Sequence, residues 1–150
     1  MTPRTAAAPY ELEAEGGERL RFGEVEVVVK ASADTTGGAF TILEENEPVD
    51  TPLHVHEHED ELFYVLEGEH VFQVGDQELR AGPGGLVFAP RGVPHAQRRV
   101  VPRAGRILVL TSPAGLEGFF RELAEADRAG AIGPDTYASA SNKYGITWLN

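Results

Sequence analysis

Four of the five histidines fall between His54 and His70, inside or just after a stretch rich in carboxylates. His54 and His56 flank Val55. In a strand, residues two apart share a face, so these two imidazoles can project into one space. Glu61 follows five residues later, an odd step that would face the opposite side of one continuous strand. A turn through residues 57–60 breaks the strand and brings Glu61 round to the histidines. Phe63 and Val65 then share its inward face, and Leu62, Tyr64 and Leu66 point outward. His95, on a distant strand, can complete a set of three imidazoles and one carboxylate.

Such a set suits a divalent first-row metal, Fe, Mn, Ni, Co, Cu or Zn. Calcium prefers a cage of oxygens and fits poorly. Three neutral imidazoles and one carboxylate leave a dication at a net charge near +1, with coordination positions open to water, dioxygen or substrate. His58 would need the strand to continue through the turn, so it reads as a loop residue or a support for the ligands. Glu57, Glu59 and Asp60 read as solvated acids able to orient ligands. His70 reads as a strand residue with a satisfied hydrogen bond.

The elements that must carry these residues are short β-branched and aromatic runs punctuated by Gly, Pro and Asp. Strands are predicted at Arg19–Lys30, Gly38–Glu44, Thr51–His56, Glu61–Leu66, His70–Val74, Glu78–Arg80, Gly85–Ala89, His95–Val101 and Arg106–Leu110. Gly75-Asp76, between Val74 and Gln77, predicts a tight hairpin turn. The regular spacing points to an all-β antiparallel sandwich or barrel. The tail differs: Leu116, Phe119, Phe120, Leu123 and Ala124 recur at helical spacing after Ser112-Pro113 and before Gly130, with Gly118 as an internal weakness. A second short helix is expected from about Pro134 to Lys143, ending at Gly145. Residues 1–17 are rich in Ala, Pro and Glu without period and read as a flexible N-terminal arm, with residues 18–150 forming one domain.

Composition narrows the function. The 150 residues suit one core, and a hydrophobic fraction of 41% is enough to fill it. With 13 basic against 24 acidic residues the formal charge is −11, which argues against nucleic acid and anionic membranes as partners. Cysteine is absent, which excludes disulfides, thiolate nucleophiles and Cys-ligated zinc or iron–sulfur sites. No apolar run approaches the roughly 20 residues needed to span a bilayer, and the first residues lack a secretory core, so a cytoplasmic protein is expected. Charge is uneven: residues 44–61 hold eight acids and no Lys or Arg, and residues 91–106 hold five Arg and no acid. Two solvated loops that pair across the fold explain this better than a binding patch.

The spacing also resembles a known family. His54-Val-His56, four residues, Glu61, six residues, Gly68 is similar to the first cupin motif, and Gly84, five residues, Pro90-Arg-Gly92, two residues, His95 to the second. Pro48 stands where the first motif usually carries Gly, and Arg99 where the second usually carries Asn. The resemblance implies a cupin fold, a double-stranded β-helix or jelly-roll barrel with one or two C-terminal helices. It implies His54, His56, Glu61 and His95 as ligands of one divalent metal.

Residues 54–68 and the helical tail, with Phe119-Phe120 and Lys143-Tyr-Gly145, further resemble small single-domain cupins similar to quercetin 2,3-dioxygenases. That implies oxidation of a small aromatic or enol substrate of flavonol type with dioxygen, and a double role for Glu61 as ligand and general base. Phe40, Ile42, Phe63, Val65 and Phe88 are candidates for lining an aromatic substrate, each also suited to barrel core. Arg99 shares the inward parity of His95 and Gln97, and is suited either to an anionic substrate group or to a barrel-wall acid. A non-redox isomerase, cyclase or lyase, or a non-catalytic small-molecule-binding module, are the other classes that fit. The outward Leu62, Tyr64 and Leu66 stripe predicts a homodimer, unless the arm or the C-terminal helix covers it.

Overall fold

A computed structural model describes residues 7–149. The strands are β1 (Glu18–Phe22), β2 (Val25–Ala31), β3 (Thr41–Asn46), β4 (His54–His56), β5 (Asp60–Glu67), β6 (His70–Val74), β7 (Gln77–Ala81), β8 (Leu86–Ala89), β9 (His95–Arg99), β10 (Arg106–Ser112) and β11 (Ile146–Trp148). The helices are α1 (Ala33–Thr36), α2 (Glu117–Arg128) and α3 (Pro134–Lys143). The strands form two antiparallel sheets, one of six in the order β1-β2-β3-β10-β5-β8 and one of five in the order β11-β4-β9-β6-β7. This is the expected double-sheet barrel, with inward side chains alternating along each strand. In β10 the alternation is strict: Ile107, Val109 and Thr111 are buried and the residues between them are not. Ile107 and Val109 join Leu43, Phe63, Val65 and Phe72 in one core between the sheets.

Three elements depart from the expectation. Residues 19–30 are not one strand but a hairpin, β1 against β2, reversing at Gly23-Glu24 with Phe22 opposite Val25. The strand expected over Thr51–His56 shortens to His54–His56, because Pro52 has no N–H to give a ladder. The additional β11 is only three residues long, and it forms because β4 presents a free edge to the returning chain. Residues 1–6 of the expected arm lie outside the described residues. Of the remainder, Tyr10 donates through its hydroxyl to the Lys30 carbonyl (2.8 Å), and Lys30 Nζ donates to the carbonyl of Ala14 (2.8 Å).

The two charged stretches pair across the fold as expected. Arg106 faces Glu44 (3.4 Å), Arg91 faces Asp60 (3.7 Å) and Arg99 faces Asp50 (3.9 Å). Among the described residues, no helix is long and apolar enough to cross a membrane.

Helix α2 runs through Gly118 despite the low helix propensity of glycine. The reason is tertiary: a Cβ at Gly118 would collide with the ring of Tyr144, which packs with Leu116, Phe119 and Ile146 into a second core between α2, α3 and β11. Gly118→Ala is therefore expected to lower stability by about 1–3 kcal/mol although alanine is the better helix former, because the ring must move out of a packed site. Thermal denaturation of the variant measures this; an unchanged or higher Tm would contradict the packing argument.

Candidate metal centre

His54 and His56 both point inward from β4, on the parity expected for residues two apart, and both are buried. Neighbouring strands hold β4 on its two edges. On one side His54 lies directly across from His95 of β9, and on the other Ile146 and Trp148 of β11 lie across from His56 and His54. All three imidazoles thus belong to the five-stranded sheet. Glu61 does not. The segment after His56 leaves that sheet altogether, and Glu61 enters as the second residue of β5 in the six-stranded sheet, opposite Thr111 and Ala89. The expected turn that reverses its parity is a crossing between sheets, which places the carboxylate across the barrel from the histidines.

One ligand atom from each of His54, His56, Glu61 and His95 lies within 4.8 Å of the others. Glu61 Oε2 is 3.0 Å from Nε2 of His56 and 3.0 Å from Nε2 of His95. Two of the rings have their outer nitrogen committed. His54 Nδ1 lies 2.7 Å from the Pro52 carbonyl and His56 Nδ1 lies 3.0 Å from Glu59 Oε1, so each turns Nε2 to the centre. Buried Glu61 Oε2 and His95 Nε2 have no hydrogen-bond partner, nor does His95 Nδ1.

The electrostatics match a cation site. Burial, together with the charges of His95 and His56, pushes His54 down to about 4, so its ring is neutral and ready to ligate. Burial also opposes charge on His56, but Glu61 and Glu59 beside it outweigh that and raise it to about 10. Burial likewise opposes charge on Glu61, and His56 and His95 outweigh it, holding the carboxyl well below the usual carboxylate range. A buried anion compensated only by imidazoles is the environment a divalent cation would stabilise most. Three nitrogens, one oxygen and orphaned inward atoms fit a first-row transition metal.

The other histidines and acids fall as follows. His58 is exposed in the loop against Gly145, and His70 is buried with Nε2 2.9 Å from the Glu67 carbonyl. Asp60 accepts from the Arg91 backbone N–H (2.9 Å), and Glu57 is exposed. Glu59 is a correction: it is buried, at 5% exposure, rather than solvated, because it turns in under the sheet crossing to meet His56.

A cavity of about 260 Å³ opens beside the cluster. Phe63 lines it; the other candidate lining residues do not. Val65 is fully buried core, one step deeper on the same face. The inward parity of β3 belongs to Thr41, Leu43 and Glu45, so Ile42 turns outward and Phe40 precedes the strand. In β8, Val87 and Ala89 face in and Phe88 is 51% exposed. Arg99 ends β9 beside Asp50, an exposed acid of the loop before β4, and does not line the cavity.

The wall that sequence reasoning missed comes from the C-terminal segments: Leu116, Phe119 and Phe120 around α2, Tyr137 of α3, and Trp148 of β11. The Trp148 ring lies 4.9 Å from the His54 ring, and its Nε1 donates to Ser141 Oγ (2.8 Å). Also missed is Glu45, which lines the cavity and accepts a hydrogen bond from Gln97. Burial, against the pull of Gln97 and with the push of Glu61, raises its carboxyl to about 7. The signal was present in the alternation of Thr41-Ile-Leu-Glu-Glu-Asn46, but two adjacent apolar residues and two adjacent acids left its phase open.

Two sheets closed around a buried three-histidine, one-glutamate cluster define a barrel of the cupin class. Comparison with known proteins agrees: residues 40–111 match the cupin domain family, and the fold is that of a cupin, the double-stranded β-helix. It is 31% identical over 121 residues to quercetin 2,3-dioxygenase of Bacillus subtilis (strain 168), covering 79% of this chain and 36% of the relative. The chain thus spans about a third of that relative's length. Among solved structures it resembles KdgF from Halomonas sp., with a TM-score of 0.63, 16% identity and coverage of 74% of this chain and 99% of the other. It also resembles Streptomyces Pac13, a nucleoside dehydratase, with a TM-score of 0.58, 17% identity and coverage of 74% and 88%. These structural likenesses carry the fold alone.

Metal binding to the native state alone raises stability. A hundredfold excess over Kd contributes about 2.7 kcal/mol, so zinc in that excess is expected to raise Tm by roughly 5–11 °C in a domain of this size. Chelation reverses the shift, and His95→Ala abolishes it. Scanning calorimetry with and without zinc measures this; a Tm indifferent to zinc would count against the site.

Proposed function

We propose that the protein is a metal-dependent dioxygenase that oxidises a small, uncharged aromatic or enolic substrate of flavonol-like chemistry. The observation that carries this reading is the buried four-residue cluster beside an apolar, aromatic-walled cavity. His54, His56, Glu61 and His95 would hold one divalent transition metal, which supplies Lewis acidity and a meeting point for dioxygen and substrate. The remaining work falls to the chain. Phe63 and Phe119 offer flat apolar surface to a ring, and Trp148 extends the wall next to His54. Glu61, a buried carboxylate whose Oε2 faces the imidazoles of His56 and His95 at 3.0 Å, is the group placed to accept the substrate hydroxyl proton. No Lys or Arg lines the cavity among the described residues, which favours an uncharged substrate over an anionic one. Likeness to a quercetin 2,3-dioxygenase supports the substrate class.

Oxygen uptake by the metal-loaded protein on a panel of flavonols and simple phenols tests this. Consumption in step with substrate loss is expected, and Glu61→Gln is expected to lower kcat by about 10²–10⁴-fold. Equal turnover under nitrogen, as an isomerase, cyclase or lyase would give, overturns the reading.

We also infer a homodimer across the outer face of the six-stranded sheet. Tyr64, Leu86 and Phe88 are 39%, 57% and 51% exposed there on adjacent strands. Helix α2 packs at β1, and the described part of the arm is tied to β2, so neither covers this patch. Light scattering at micromolar concentration is expected to give twice the chain mass, and Leu86→Lys to give the monomer. A monomeric parent chain would refute it.

A further inference from the structure

Glu45 and Gln97 are polar groups inside the same cavity that the proposed chemistry leaves unused. They come from different sheets, Glu45 from β3 and Gln97 from β9, and they meet in the cavity lining. Gln97 Nε2 donates to Glu45 Oε2 (3.0 Å) and to the Val49 carbonyl (3.0 Å). Both amide protons are thereby spent on protein acceptors. The remaining oxygens, Oε1 of Gln97 and Oε1 of Glu45, have no protein partner among the described residues.

The pair lies at a different level of the barrel from the metal cluster. Glu45 aligns across β10, through Ile107, with Val65 of β5. Val65 is four residues beyond Glu61, a backbone offset of roughly 13 Å, and Gln97 is two residues beyond His95 on β9, an offset of about 7 Å, at about 3.3 Å per residue. A ligand with one edge at Glu61 and the histidines therefore extends its other edge toward Glu45. Asp50 and Thr51 also line the cavity near this pair, but no Lys or Arg does among the described residues, so no cation in the wall fixes Glu45 as an anion. A carboxyl raised to about 7 both donates and accepts near neutrality, unlike Glu61. Glu45 is only partly buried, so a hydroxyl entering the cavity can reach its carboxyl.

The geometry points to Glu45, oriented by Gln97, as a second hydrogen-bonding station that binds a hydroxyl on the ligand edge away from the His54–His56–Glu61–His95 cluster. The pair thereby selects aromatic ligands hydroxylated at two separated edges over those hydroxylated at one. Glu45 is a specificity-determining residue and Gln97 its positioning residue. The inference rests on the cavity being the ligand site of the proposed function, but not on dioxygen chemistry.

Calorimetric titration of the zinc-loaded protein under nitrogen tests it, with 2-naphthol and a series of dihydroxynaphthalenes as probes. At least one dihydroxynaphthalene is expected to bind about tenfold more tightly than 2-naphthol, as one added buried hydrogen bond allows. Glu45→Leu is expected to erase that advantage while moving the 2-naphthol Kd by less than about twofold, and Glu45→Gln to keep part of it. Gln97→Leu is expected to reduce the advantage without abolishing 2-naphthol binding. The inference is overturned if no second hydroxyl improves binding to the parent chain. It is also overturned if Glu45→Leu leaves the advantage intact, or weakens both ligand types alike as a purely structural role would. Oxygen uptake is scored separately: loss of the dioxygenase reading with the hydroxyl advantage intact leaves this station standing, and the converse removes only the station.

Discussion

A single buried carboxylate organises this barrel. Glu61 sits on the six-stranded sheet, and the groups that balance its charge, His56 and His95, sit on the other. Charge inside protein is costly unless partnered, so the two sheets are tied at this level by electrostatics as well as by the apolar core beneath. Phe63 and Val65, the next inward residues after Glu61, belong to that core. The same strand thus supplies one donor atom to the centre and the hydrophobic floor that keeps it dry. Around the ligand atoms lies a ring of supports, with the Pro52 carbonyl behind His54 and Glu59 behind His56. His95 has no such support, and is held instead by its place opposite His54 and by contact with Phe63, whose ring centroid is 5.9 Å away.

The C-terminal segment converts a strand-built site into an enclosed one. Helices α2 and α3 and strand β11 bring Phe119, Tyr137 and Trp148 to the cavity from outside the two sheets, and β11 simultaneously covers the free edge of β4. One segment therefore guards an exposed ladder, forms a second core and walls the cavity. Its junctions show the tolerance involved. Gly118 leaves room for the ring of Tyr144, and Gly145, with φ of 69°, passes so near His58 that a side chain would strike the imidazole. Mutations along this tail will affect ligand access and folding together, because the same side chains serve both.

Polarity inside the cavity is sparse and consequently informative. Its charged or chargeable lining is acidic or imidazole, and the nearby arginines are engaged elsewhere: Arg99 with Asp50, Arg106 with Glu44. An anionic ligand would find no Lys or Arg in the cavity wall among the described residues. Glu45 and Gln97 give the otherwise aromatic interior a second direction, which a purely apolar pocket would lack.

Local sequence determined a great deal here. The step of two between His54 and His56 and the regular strand spacing depend on near-neighbour geometry, which follows from chain stereochemistry alone. So does the helical period of Leu116, Phe119, Leu123 and Ala124, buried together as that period requires. The inward face of β5 was legible because Glu61, once placed to face His54 and His56, fixes the parity of Phe63 and Val65 two and four residues on. The phase of β3 was not, because Ile42 and Leu43 are equally apolar and Glu44 and Glu45 equally acidic; only pairing with β2 and β10 decided which acid enters the cavity. Tertiary structure alone decided that Glu61 crosses to the other sheet, that Glu59 is buried, and that three residues at Ile146–Trp148 complete a strand. Each depends on a partner distant in sequence, and a short segment carries no local energy sufficient to specify where that partner will be.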